Sequence, residues 1–308
     1  MTLLNRPTLN SQASLPRSLS IAVLITAATL FASNHISARF AFDDGTGLLF
    51  AVIARATMAL GIMTALAIMY KKSFRIERPL KKWQLLQGVL IALQSLCLYT
   101  AITQIPVAMA LLLVNTWPMM FILTSWLLKK SEPSGFMLML LVVILFGLYL
   151  VLDLPEHQEV TWTWIWGVIF GTLSAVFIAG AMWISQYQLA HLPGAVRSAY
   201  TMITVVIVCA LGGASGLIEG GLSAPATSTG WIAVLSLALL YGTASTLLFA
   251  LAPKLDMAHN SPMLNVEPVA SLFLAYWLLG QTLTHSQLIG GAIVVTGIIA
   301  IGMKRKTQ

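Results

Sequence analysis

Ten hydrophobic stretches, each long enough to cross a lipid bilayer, follow one another through this chain of 308 residues. A membrane-spanning helix needs about 20 mainly apolar residues. The alternating polar and apolar pattern of a β-barrel is absent, and hydrocarbon offers no other partner to backbone amides, so only helices can cross. The sequence therefore predicts an all-α integral membrane protein with ten transmembrane helices. The predicted spans are 18–40, 46–70, 83–104, 107–128, 134–152, 163–186, 197–218, 229–252, 259–279 and 284–303.

The composition excludes a soluble domain. Hydrophobic residues make up 58% of the chain, charged residues make up 9%, and the mean hydropathy is +0.87. A soluble fold would lack the polar residues to cover its surface. The net charge of +7 does not indicate nucleic-acid binding, because the basic residues lie between spans and are not interleaved with aromatic residues. The lipid bilayer is the expected surrounding.

The basic residues instead indicate the topology. With the N-terminus inside, fifteen of the seventeen Lys and Arg residues fall in cytoplasmic segments, and only Arg39 and Arg55 do not. The positive-inside rule then predicts a multi-pass protein with a cytoplasmic tail at 1–17, both termini cytoplasmic and an even number of spans. The loop richest in basic residues is KKSFRIERPLKK at 71–82. It is expected to anchor the topology, and binding of anionic lipid head groups is the alternative.

One segment of the sequence is repeated. NTWPMMFILTSWLL begins at Asn115, and NVEPVASLFLAYWLL begins 150 positions later at Asn265, so that Pro118 matches Pro268. The offset superposes span 4 on span 9 and predicts five spans per repeat. Because five is odd, the second repeat enters the membrane with the opposite polarity, which is typical of proteins that alternate access between two sides. Chance similarity between apolar helices is the alternative. The predicted repeats are 18–152 and 163–303.

The residues resemble those of the EamA-type transporter family of the drug/metabolite transporter superfamily. The resemblance covers nearly the whole chain and is carried by Ser33-Asn34, by Arg55, and by LNVEPVASLFLAYWLLGQTLTHSQLIGGAIVVTGIIAIG at 264–302. It departs from the family pattern at Gln281, where Glu is usual, and at Trp117, which occupies the position matching Glu267. The resemblance implies ten helices, location in the inner (cytoplasmic) membrane and export of small metabolites such as amino acids or related compounds.

Two charged residues are predicted near the centre of the bilayer. Glu267 lies midway along span 9, and Arg55 lies deep in span 2. A charge at that depth is costly unless it faces a cavity or a partner, so both are functional candidates. The alternative is a structural role, in which the two residues pair with each other or with backbone carbonyls.

The two prolines are expected to break their helices. Pro118 and Pro268 each remove a backbone donor in mid-span, which frees the carbonyls of Val114 and Leu264. The neighbouring Asn side chains are expected to satisfy those carbonyls, and matched broken helices indicate a binding site at the repeat interface. A purely structural kink is the competing interpretation. The candidate substrate-binding residues are Asn34, Arg55, Tyr99, Asn115, Trp117, Trp183, Asn265 and Glu267, and His35 and Tyr241 are further polar or aromatic residues within the spans.

These patterns favour a secondary transporter over an enzyme. No metal-ligand spacing links the five histidines, and no phosphate-binding loop indicates ATP hydrolysis, so neither a cofactor nor a metal is expected, and a small-molecule substrate and protons are the expected partners. The alternative is a membrane-embedded enzyme, a lipid transferase or a rhomboid-like serine protease that uses Ser215 and His259. Solute, direction, coupling ion and oligomeric state are left open.

Overall fold

The computed structural model describes residues 15–105, 107–151, 161–216, 221–280 and 282–303. Within these ranges every regular element is a helix, which confirms the all-α prediction. The α-helices are α1 (Arg17–Asp43), α2 (Leu48–Met69), α3 (Arg78–Gln104), α4 (Val107–Val114), α5 (Trp117–Leu127), α6 (Gly135–Val151), α7 (Trp162–Tyr187), α8 (Gly194–Ala214), α9 (Ser228–Ser245), α10 (Met257–Asn260), α11 (Val266–Leu279) and α12 (His285–Met303).

Six helical segments of the described chain are long and apolar enough to cross a membrane. Two shorter apolar helices are Gly135–Val151 and His285–Ala300. The count of ten crossings therefore stays a prediction. The six segments are Arg17–Asp43, Leu48–Met69, Met109–Leu127, Trp162–Tyr187, Gly194–Ala214 and Ser228–Ala250.

The fourth and ninth predicted spans break at matching positions. Helix α4 ends at Val114 and α5 begins at Trp117, whereas α10 is followed by a 3-10 turn, Ser261–Asn265, before α11 begins. Pro118 and Pro268 lie in the first turns of α5 and α11, where a helix does not need the missing N–H group. Each break therefore precedes its proline.

Polar side chains satisfy backbone carbonyls at both breaks. The Asn115 Nδ2 donates to the Leu111 carbonyl at 2.8 Å, and the Thr116 hydroxyl donates to the Leu113 carbonyl at 2.6 Å. The sequence predicts a bond from the Asn115 amide to the Val114 carbonyl, but the amide instead bonds the Leu111 carbonyl, one turn back. At the second break, the Asn260 Nδ2 donates to the Leu255 carbonyl at 2.8 Å.

A third irregularity lies at the end of α9, which continues as a π-helical turn, Thr246–Ala250. The guanidinium of Arg197, in the first turn of α8, is fully buried and donates to the carbonyls of Leu189 and Phe249. The Gln84 amide in turn donates to the Arg197 carbonyl at 2.9 Å. Arg197 therefore bonds the π-turn from inside the bundle, a role that its position at the start of a predicted span does not show.

The helices pack in corresponding pairs. The α1–α9 contact has a counterpart in the α3–α7 contact, and the α2–α9 contact has one in the α3–α8 contact. The α1–α11 contact likewise corresponds to the α5–α7 contact. Two further pairs are α2 with α8 and α6 with α12. The core between them is rich in fully buried alanines, which allow helices in lipid to approach closely.

At one end of the bundle, Asp44 holds α1 against α9. Its carboxylate accepts hydrogen bonds from the Thr227 hydroxyl at 2.6 Å, the Thr227 N–H at 3.0 Å and the Ala226 N–H at 2.8 Å. These bonds, the one from the Thr227 hydroxyl foremost, hold the pKa of Asp44 below its usual value. The backbone N–H of Phe50, in the first turn of α2, donates to the Gly221 carbonyl at 2.8 Å. This end is therefore tied together by polar bonds.

The α6–α12 contact gives a test of the packing. A Cβ added at Gly290 would lie 2.6 Å from the Gly147 carbonyl oxygen and from the Val151 backbone nitrogen. We expect Gly290→Ala to push the helices apart and to lower stability by about 1–3 kcal/mol, measured as a lower Tm in detergent. The control is Gly61→Ala, where the added Cβ meets nothing within 4 Å. Equal melting temperatures for the two variants would contradict the packing.

Candidate substrate-binding chamber

A chamber of about 110 Å³ lies among α1, α2, α3, α4, α5, α7, α9 and α11. It adjoins the break after α4, and Glu267 reaches it from the first turn of α11. Its lining combines charged, polar and aromatic side chains, as in most small-molecule sites. The polar lining residues are Asn34, His35, Arg55, Gln94, Asn115, Tyr241 and Glu267, and the aromatic ones include Phe31, Trp117 and Phe249.

A contact between a histidine and a carboxyl group joins α1 to α11 at the chamber wall. The His35 Nε2 lies 2.8 Å from the Glu267 Oε1, and the two side chains are 34% and 21% exposed. The carboxylate lies in the first turn of α11, where the helix dipole favours negative charge. The pair thus keeps a carboxylate accessible to the chamber while giving it a polar partner.

A cation–π contact joins α2 to α9 at another part of the lining. The Arg55 guanidinium carbon lies 4.4 Å from the centroid of the Tyr241 ring. The Phe31 ring packs against Tyr241 with centroids 5.7 Å apart. These aromatic contacts hold the half-buried cation beside the chamber.

The amide of Asn34 adds a buried acceptor to the lining. Asn34 is 2% exposed, and its Oδ1 accepts no hydrogen bond within the described part of the protein. A buried acceptor without a partner is costly. A donor on a bound solute would satisfy it.

The chamber continues into a larger vestibule of about 450 Å³. The two cavities share Asn34, His35 and Arg55 as lining residues. The vestibule extends to the C-terminal end of α1, where Arg39 and Asp43 form an ion pair at 3.0 Å. A solute can therefore reach the charged lining of the chamber from this end of the bundle.

A chain of aromatic rings leads from the chamber the other way. Trp117 packs edge-on against Phe121, Phe121 stacks on Tyr187 with centroids 6.5 Å apart, and Tyr187 packs against Trp183. Trp117 and Phe121 are buried. These rings fill the space between the chamber and the C-terminal end of α7.

Five of the eight predicted substrate-binding residues line the chamber: Asn34, Arg55, Asn115, Trp117 and Glu267. Trp183 lies at the far end of the aromatic chain, and Asn265 is buried in the second break, outside the lining. The side chain of Tyr99 lies outside the described residues, as does Gln281.

Three polar lining residues do not belong to the predicted binding set. They are His35, Gln94 and Tyr241. All three are polar or aromatic residues within predicted spans, and this is the feature of the sequence that could have indicated their place in the lining.

The residues of the protease alternative are far apart. Ser215 follows the C-terminal end of α8, and His259 lies in α10, near the residues that precede the N-terminal end of α8. Helix α8 has 21 residues and is about 30 Å long. His259 instead pairs with Asp256 at 3.0 Å. This geometry does not bring His259 within reach of Ser215 as a base.

Comparison with protein families decides the class. The model of the EamA-like transporter family matches residues 18–153 and again residues 165–303. The chain belongs to the EamA-like transporter family. It is therefore a membrane transport protein of the drug/metabolite transporter superfamily.

Two individual proteins are similar to this family member. An uncharacterized transporter of Archaeoglobus fulgidus is 28% identical over 202 residues, which cover 65% of this chain and 68% of that protein. A protein of known crystal structure superposes with a TM-score of 0.79, covering 94% of this chain and 97% of its own, at 18% identity. The second likeness shows the fold alone.

The vestibule can be tested by cysteine labelling. In a background with Cys97 and Cys209 replaced by alanine, we expect Ala38→Cys, which lines the vestibule, to react with a charged thiol reagent. Ala28→Cys on the same helix should not react, since Ala28 is fully buried. The measurement is the mass of the labelled protein. An unreactive Ala38→Cys, or equal labelling at both positions, would contradict a water-filled vestibule.

Proposed function

We propose that this protein is a secondary transporter that exports a small polar or amphipathic metabolite, such as an amino acid or a related compound, across the inner membrane by alternating access. The observation that carries the proposal is the charged chamber between broken helices, with a vestibule leading from it towards one end of the bundle. Membership of the EamA-like family supports transport of small molecules.

We further propose ten spans in two inverted repeats. If α4 with α5 forms span 4 and α10 with α11 forms span 9, a shift of five spans exchanges the members of the packed pairs. The α1–α9 contact becomes α7–α3, the α2–α9 contact becomes α8–α3, and the α1–α11 contact becomes α7–α5. The α2–α8 and α6–α12 contacts map onto themselves. This exchange supports an approximate twofold relation between the halves, and the odd span number supports inversion.

The chamber chemistry supports a solute with separated polar groups. Arg55 can receive a carboxylate of the solute while it remains stacked on Tyr241. Glu267 can receive an amine, or it can bind a proton that is coupled to transport. In either case the event takes place on the carboxylate that His35 contacts, so it acts on the link between α1 and α11.

The two breaks are the proposed hinges. A hinge is formed by a few residues at the ends of helices that absorb changes in backbone angles. The segments Asn115–Thr116 and Ser261–Asn265 interrupt their spans next to the chamber. Movement of one repeat against the other would close the vestibule and separate Phe121 from Tyr187. We propose that this movement exposes the chamber to the cytoplasm.

The energy source is proposed to be a gradient. The sequence has no phosphate-binding loop of the Gly-rich type followed by Lys. We therefore expect a screen of amino acids, nucleobases and organic acids for ligands that raise Tm to identify the solute. Gradient-driven flux of that solute in vesicles then tests the function. Flux that fails to saturate would contradict a carrier and favour a channel.

If Glu267 binds the coupled proton, Glu267→Gln abolishes pH-driven uptake into vesicles, because the amide cannot be protonated. The control is Glu132→Gln, since Glu132 lies in an exposed turn between α5 and α6. Uptake is measured with and without an imposed pH gradient. Unchanged pH dependence in Glu267→Gln would remove this residue from the coupling.

The proposed topology is tested by the side on which two exposed loops react. Ser223→Cys, before α9, should be labelled from outside intact cells by an impermeant thiol reagent. Lys130→Cys, after α5, should be labelled only after permeabilisation. Both variants are made in the cysteine-free background. Labelling of both loops from the same side would contradict the odd number of spans that the proposal puts between them.

A further inference from the structure

A second cavity, of about 1170 Å³, lies at the end of the bundle where the basic segment 71–82 leads into the first turns of α3. It is a groove between that segment, α3 and α8. The groove and the chamber have no lining residue in common. Arg75, Arg78 and Lys81 line it, together with one carboxylate, Glu77. The charged lining therefore carries a net charge of +2.

The cations are exposed and available to a ligand. Arg75, Arg78 and Lys81 are all exposed, and none of the three forms an ion pair among the described residues. Their positive charges are therefore not compensated by an ion pair. An anionic group that enters the groove meets three cationic donors.

The groove is built by fixed polar contacts. The Tyr200 hydroxyl donates to the Phe74 carbonyl at 2.9 Å, which ties the basic segment to α8. Gln84, only 5% exposed, donates from its amide to the Thr201 hydroxyl at 3.0 Å, which ties α3 to α8. These bonds therefore fix the positions of the two walls of the groove relative to each other.

The groove changes from charged to apolar along its length. On α3, Arg78, Lys81 and Leu85 share one face, since they are three and four residues apart. On α8, Ile203 follows Tyr200 on the facing wall. Leu85 is 60% exposed and Ile203 is 38% exposed. The groove thus begins with basic side chains, continues past the Tyr200 ring and ends with the apolar Leu85 and Ile203. The same order of groups is typical of the boundary between lipid head groups and acyl chains.

We propose that this groove binds an anionic phospholipid of the surrounding bilayer, with the phosphate at Arg75, Arg78 and Lys81 and an acyl chain along Leu85 and Ile203. Basic pockets between helices near a membrane surface bind such head groups. The proposal does not rest on the proposed transport function, because none of these residues lines the chamber.

The test measures the melting temperature of the full-length protein in neutral detergent. Dioctanoyl phosphatidylglycerol should raise Tm by an amount on the order of a few degrees at saturation. Dioctanoyl phosphatidylcholine, inorganic phosphate and glycerol phosphate at the same concentrations should not. An equal rise with inorganic phosphate would overturn the lipid and indicate a site for a free anion.

Variants separate a built site from general attraction between charges. The triple variant Arg75→Gln, Arg78→Gln, Lys81→Gln should bind phosphatidylglycerol roughly 100-fold more weakly, at about a factor of five for each cation. The matched control is Lys129→Gln, Lys130→Gln, which removes two exposed cations from another loop and should leave the binding unchanged.

A substitution in the apolar wall, Ile203→Ser, should weaken binding of the lipid several-fold. Unchanged binding in the triple variant, or an equal loss in the Lys129 and Lys130 control, would overturn the proposal. All substituted residues are exposed, so the Tm without lipid shows whether each variant is folded.

Discussion

Every interruption of a helix in this protein exposes backbone groups that hydrocarbon cannot satisfy, and the arrangement of the bundle follows from how those groups are bonded. At the first break the side chains of Asn115 and Thr116 fold back onto carbonyls of the preceding turn. At the π-turn of α9, the buried Arg197 bonds the Phe249 carbonyl. The broken segments are thereby stable enough to carry a polar chamber between them.

The chamber draws its charged side chains from helices that are distant in sequence. The His35–Glu267 pair links α1 to α11 across 232 residues, and the Arg55–Tyr241 contact links α2 to α9. Both contacts join the first matched region of the chain to the second. A displacement of one region against the other must therefore change the surroundings of Glu267 and Arg55. This coupling is what a transporter needs in order to link solute or proton binding to movement.

Much of the fold could be predicted from sequence because membrane insertion imposes a strong one-dimensional pattern. The length of the apolar stretches predicted helices, and the repeated Asn and Pro positions indicated the two breaks. The partners inside the chamber could not be predicted, because the neighbour of Glu267 depends on how α1 packs against α11. The role of Arg197 could not be predicted for the same reason: its position at the start of a span is visible in the sequence, but the carbonyl that it bonds belongs to the π-turn.

We propose that the chamber opens to the two ends of the bundle in alternation. The most direct measurement is the distance between spin labels at two pairs of positions in reconstituted protein, across a pH titration and with a stabilising solute. One pair is Phe42 on α1 and Trp162 on α7, one helix from each repeat, at the vestibule end. The other is Leu127 on α5 and Gln188 after α7, again one in each repeat, at the opposite end. The first distance should shorten as the second lengthens. Two distances that stay fixed, or that lengthen and shorten together, would contradict it.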